Sequence, residues 1–101
     1  MDDVKALSIE ELAAFRSQLS KWDFESHGAH MEREFVFEDF VKAFAFMTQV
    51  AALAHEQDHH PNWSNVYKRV HIRLFTHDCS GLTTKDIRLA KAIDLVFDKS
   101  M

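Results

Sequence analysis

The chain has 101 residues, enough for one domain with a modest core and a thin margin of stability. Its formal charge of -4 excludes the basic stripe that a nucleic-acid surface needs, and no stretch reaches the ~18 apolar residues of a membrane span. A single cysteine, Cys79, excludes an internal disulfide framework, and no basic lead with an apolar run reads as a signal peptide, so the expectation is a soluble cytoplasmic protein.

Residues 1–7 are expected to be loose. Ser8 then reads as a helix N-cap, with Glu11 completing a capping box and Leu7 and Leu12 placed as a hydrophobic staple across it. A first helix follows from about Ile9 to Leu19, with Leu12, Phe15 and Leu19 on one face. Trp22 to Glu25 reads as a short strand, His27-Gly28-Ala29 as a turn, and His30 to Phe37 as a second strand, together a β-hairpin. His27 and His30 read as exposed turn residues.

Asp39 to Gln57 carries the strongest helical pattern. Phe40, Phe44, Met47, Ala51 and Ala54 form one stripe, and Ala43, Phe46, Val50 and Leu53 form a second beside it. Together they exceed the width that one core requires. In so short a chain, the pattern predicts one stripe against the sheet and the other against a second subunit.

The only proline, Pro61, stops this helix and disfavours helical geometry at His60. Beyond it, Val66, Val70, Ile72 and Leu74 alternate with Tyr67, Arg69, His71 and Arg73, which predicts strand with the even positions facing the helices. A bend near Asn65 to Lys68 divides this region into a shorter and a longer strand. Cys79-Ser80-Gly81 reads as a turn, and Thr83 with Asp86 as a second capping pair. The last helix runs from about Thr84 to Asp98, burying Ile87, Ala90, Ile93, Val96 and Phe97. Asp86 has a sufficient structural explanation as a first-turn carboxylate.

Four histidines, His55, His59, His60 and His77, are candidates to meet in one pocket. His55 and His59 share a face if the helix reaches His59, and His77 falls just past a strand packed on that helix. Imidazole titrates near neutrality, so such a group holds both a proton donor and a proton acceptor. That suits adding or removing water across a polarised C–O bond. Asp58 and Asp78 flank the cluster and could orient a histidine or hold an amidine-like group. Trp63 and Tyr67 could form an apolar wall. Three other readings compete: a zinc set built on His-x-x-x-His, purely structural histidines, and a Cys79 nucleophile with His77.

The combination His55-x-x-x-His59-His60-Pro61, then Tyr67, His77 and Asp86, resembles the pterin-4a-carbinolamine dehydratase family. The segments FEDFVKAFAFMTQVA, HHPNWSNVYKRVHIRL and THDCSGLTTKDIRLA carry the same resemblance, which spans about Trp22 to Phe97. It implies dehydration of 4a-hydroxytetrahydropterin to the quinonoid dihydropterin without metal or organic cofactor, recycling the pterin of aromatic amino acid hydroxylases. It implies His59, His60 and His77 as the catalytic imidazoles, and Asp58 with the backbone near His77 and Asp78 as the groups that bind the aminopyrimidine edge; His55 is a secondary substrate-binding residue, and Trp63 joins the substrate-binding set as the apolar wall. Some members carry Glu where this chain has His55. The implied fold is an α+β two-layer sandwich, an antiparallel sheet with helices on one face, in the order helix, strand, strand, helix, one or two strands, helix. Members form homodimers or homotetramers, and mammalian ones also serve as dimerisation cofactors of a homeodomain transcription factor. A hydroxylase or a transcription factor is therefore a candidate partner, and a regulatory binding module is the alternative function.

Overall fold

A computed structural model of the chain describes residues 5–100. The expected loose start falls on residues 1–4 outside that range, whereas the Leu7 N–H is already tied to the Leu82 carbonyl at 2.9 Å. The elements are α1 (Ile9–Gln18), β1 (Asp23–Phe24), β2 (Met31–Val36), α2 (Phe40–Glu56), β3 (Asn62–Val66), β4 (Arg69–Leu74), a 3-10 turn at His77–Cys79, and α3 (Thr84–Ser100). The four strands form one antiparallel sheet in the order β1-β2-β4-β3, with the helices packed on one face.

Local chemistry sets the ends of these elements. At the start of α1, Ser8 Oγ accepts from the Glu11 N–H at 3.1 Å, and Glu11 Oε1 accepts from the Ser8 N–H at 2.8 Å. The β1–β2 turn needs Gly28 twice over. Its φ is +78°, and a Cβ there would stand 2.7 Å from Leu12 Cδ1. Its carbonyl accepts from the Leu82 N–H at 2.9 Å, which ties this turn to the chain leading into α3.

The core lies between the sheet and the helices. Met31 and Phe35 of β2 and Val70, Ile72 and Leu74 of β4 meet Phe46 and Val50 of α2 and Leu89, Ala90 and Ile93 of α3. Phe35 is its aromatic centre, with ring centroids 4.9 Å from Phe46, 5.0 Å from Phe97 and 6.0 Å from Trp22. One charged side chain faces inward from the sheet. Arg33 reaches Asp94 of α3 at 2.6 Å and stands over the Phe35 and Phe97 rings, while Trp22 Nε1 donates to the same Asp94 oxygen at 2.8 Å.

The two stripes of α2 separate only in part, because Met47 packs on the core and Ala54 is buried although both belong to the stripe of Phe40 and Phe44. Ala43, Phe46 and Val50 are buried, but Phe40 and Phe44 remain 45% and 54% exposed, with Ala51 exposed beside them. One position departs from the alternation expected after Pro61. Val66 does not face the helices; it is 72% exposed. A two-residue loop, Tyr67–Lys68 with Tyr67 at φ +51°, pairs Val66 with Arg69 and Asn65 with Val70. A tight hairpin reverses the parity of facing residues, so the odd positions of β3, including Trp63, share the face of the even positions of β4. In α3, Val96 and Phe97 are partly rather than fully buried, and Leu89 joins the core.

Candidate functional site

The site begins where α2 ends. Asp58 takes a left-handed conformation, φ +53°, in the position after the helix C-cap. The Asp58 N–H then bonds the His55 carbonyl at 3.1 Å, and the His59 N–H bonds the Ala54 carbonyl at 3.0 Å. These two bonds are the Schellman pattern, here closed by an aspartate instead of the usual glycine. Backbone geometry at Asp58, three residues ahead of Pro61, therefore stops the helix. It also turns His59 inward, so His55 and His59 do not share a helix face.

His59 is buried and its Nε2 lies 2.6 Å from Asp86 Oδ1. Asp86 is fully buried, at 0% exposure. Its other oxygen accepts from Thr76 Oγ1 at 2.8 Å and from the Thr83 N–H at 2.9 Å. Thr83 Oγ1 in turn accepts from the Lys85 N–H at 3.2 Å, so the expected capping pair is present at the start of α3. One carboxylate thus caps a helix and holds an imidazole. A carboxylate only accepts, so His59 Nε2 carries a proton and, in the neutral ring, Nδ1 is left as the acceptor. Three hydrogen bonds offset the cost of burying the charge.

The facing wall comes from the end of β4. Thr76 bridges to Gly81 and closes the loop containing the 3-10 turn. This loop projects His77, whose ring lies 4.8 Å from that of Phe75. Between the two walls is a cavity of about 320 Å³, lined by Asp58, His59, His60, Phe75, Thr76, His77, Asp78 and Lys85. His60, His77, Asp58, Asp78 and Lys85 are exposed at its rim, and only His59 is held from below. Such a set offers one oriented imidazole and two adaptable ones around a space that fits a small planar ligand.

The cavity therefore gathers five of the eight residues expected at the site. His55 stays outside its lining, exposed on α2 with its ring 6.5 Å from that of His60. Trp63 points to the helix side of β3 and packs on the core, and Tyr67 sits in the exposed hairpin loop. Phe75 supplies the apolar wall in their place. Four residues, Phe75, Thr76, Lys85 and Asp86, were missed as site residues. Asp86 carried a detectable signal: with Leu89, Ala90 and Ile93 it falls on the buried stripe of α3, where a carboxylate needs a partner. Among the described residues no group of three or more His, Cys, Asp or Glu side chains converges as metal ligands, and no helix is long and apolar enough to cross a membrane.

Fold and cavity define a small α+β protein with a histidine-lined pocket beside the sheet. The chain belongs to the family described as pterin 4 alpha carbinolamine dehydratase, whose model it matches over residues 5–96. It is accordingly a dehydratase enzyme. A protein of Mesorhizobium japonicum named as a pterin-4-alpha-carbinolamine dehydratase is 48% identical over 91 residues, which cover 90% of this chain and 93% of that one. A Synechococcus protein of the same name is 49% identical over 84 residues, covering 83% and 88%. Among solved structures, a transcriptional coactivator/pterin dehydratase from Brucella melitensis superposes with a TM-score of 0.87 at 35% identity, over 92% of this chain and 99% of that one. A pterin dehydratase-like RuBisCO assembly factor of the alpha-carboxysome shares the fold at 22% identity, with a TM-score of 0.65 over 75% and 88%.

Proposed function

We propose that this chain, acting as a single domain, dehydrates a 4a-hydroxytetrahydropterin to the quinonoid dihydropterin in the cavity between α2 and the β4–α3 loop. The step needs one proton delivered and one removed. As the C4a–O bond breaks, its electron pair and a proton leave with the oxygen as water. The N5–H proton is taken up, and its bonding pair forms the C4a–N5 double bond. His59, His60 and His77 are the groups that exchange these protons. Asp58 and Asp78 bind the aminopyrimidine edge, His55 acts only from beside His60, and Trp63 has no contact with substrate. The observation that carries this function is the buried His59–Asp86 pair at 2.6 Å with two further imidazoles around the same cavity.

In the cell this reaction would recycle tetrahydropterin for aromatic amino acid hydroxylases in the cytoplasm, with the protein assembled as a homodimer or homotetramer. The coactivator in the Brucella relative's name, together with the exposed apolar face of α2, supports a second function as a regulatory binding module.

Stopped-flow measurement of carbinolamine breakdown tests the first function. The native protein should accelerate dehydration. His60→Ala should keep its fold, because that side chain is exposed, and lose about 10²–10⁴-fold in kcat. Near-native turnover in this variant would remove His60 from the mechanism. A change in hydroxylase expression without any acceleration of dehydration would favour the regulatory module.

A further inference from the structure

The His77 loop has a second face. Behind Phe75 and His77, away from His59 and His60, lies another cavity of about 240 Å³ lined by Ala29, His30, Arg73, Phe75, His77 and Ser80. The reaction cavity shares Phe75 and His77, so this pair forms the wall between them. The register that pairs Met31 with Leu74 and Glu32 with Arg73 brings His30 to Phe75 at the same end of the sheet, on its outer face.

The lining differs in kind from that of the reaction cavity. It contains no carboxylate. It presents the Arg73 guanidinium, the His30 imidazole and the Ser80 hydroxyl. Arg73 is incompletely engaged: of its five N–H donors, one reaches Glu32 Oε1 at 3.4 Å. That oxygen is already 2.9 Å from His71 Nε2, and the other Glu32 oxygen is 3.7 Å from His30 Nε2. One carboxylate thus serves three basic side chains, which leaves donors for an incoming anion. The volume lies below the ~300–1,000 Å³ of pockets that enclose whole ligands. It suits a small ion or one substituent of a larger molecule.

We propose that this second cavity is an anion subsite that takes a phosphoryl or carboxylate group, and that a pterin in the reaction cavity reaches it with an anionic side chain passing over His77. The substrate class is then a 4a-hydroxytetrahydropterin with an acidic substituent, which extends the dehydratase function proposed above. Arg73 grips the anion, and His30 and Ser80 complete its contacts.

Binding of inorganic phosphate to the full chain, followed by NMR chemical shifts, tests the site without any turnover. Phosphate should shift the Ala29 and Ser80 amides and the His30 ring. Arg73→Gln should weaken that response at least tenfold, while Arg69→Gln, which removes the neighbouring Arg69–Glu34 pair on the same face, should leave it unchanged. Absent shifts, or shifts that survive Arg73→Gln, overturn the subsite. A second arm separates a free anion from a substrate substituent. The native protein should show at least a tenfold higher kcat/KM for a pterin with a phosphorylated side chain than for its hydroxyl counterpart, and Arg73→Gln should abolish that ratio. Phosphate binding without any such preference would overturn the substrate assignment and leave a site for free anion. Loss of all dehydration in the native protein, with phosphate binding intact, would refute the proposed reaction and not the subsite.

Discussion

Asp86 shows how much one residue does when it is fully buried. Its two oxygens bond a helix-capping N–H, a threonine hydroxyl and an imidazole, and each bond places a different part of the site. Asp86→Asn preserves the shape but replaces an acceptor with an amide NH2. That NH2 must face either the Thr83 N–H or the His59 Nε2–H, two donors. The variant should lose about 2–4 kcal/mol in denaturant unfolding and about 10²-fold in kcat. Glu25 is a contrasting case at the surface. The Ala29 N–H first, and then the His27 N–H, holds its carboxylate down to about 2. Because the folded value lies below the ordinary one, the carboxylate's support for the turn is fully present above 4.5 and is lost as pH falls toward 2. An NMR titration should place the Glu25 midpoint near 2, with the His27–Ala29 amides moving in step. A midpoint near 4.5 would show that these bonds are absent in solution.

At the scale of elements, the end of α2 decides where two imidazoles go. Its stop depends on Asp58 in a left-handed conformation, which costs a non-glycine residue free energy. Asp58→Gly relieves that cost, part of which is offset by greater freedom in the unfolded chain. The variant should unfold at a higher temperature, gaining about 0.5–1 kcal/mol, and, with the substrate contact proposed for Asp58 removed, show a raised KM. Unchanged KM would remove Asp58 from the binding set. The same elements show what a sequence makes legible. The capping box at Ser8, the capping pair at Thr83 and the span of α2 depend on neighbours within a turn or two, and each could be read directly. Val66 could not, because a two-residue loop inverts facing parity without changing composition. The His59–Asp86 bond joins residues 27 apart, and no local pattern connects them. The gathering of His59, His60 and His77 was legible as a candidate from a helix end and a strand end packed together, and the family resemblance singled out those three; distances along the chain do not dictate it.

At the scale of the molecule, one helix face has no counterpart among the described residues. Phe40, Val41 and Phe44 of α2 lie on the surface, and Leu95 of α3 is exposed as well. Contiguous apolar surface of this kind marks an interface in a soluble protein. Light scattering should find a dimer or tetramer at micromolar concentration, and Phe44→Glu should shift it toward monomer. A stable native monomer would mean that the exposed Phe40 and Phe44 face of α2 has another purpose.

α3 is pinned to the rest of the molecule at two points along its length. Asp94 is clamped by Arg33 and Trp22, and Asp86 is clamped by His59 and Thr76. Eight residues of rigid helix separate them, a span of about 12 Å. Sliding the helix by even one turn would strand both carboxylates at once. The distance from aromatic core to reaction cavity is therefore gauged by a ruler with a stop at each end, and strain applied at Arg33 should be felt at the imidazole it never touches.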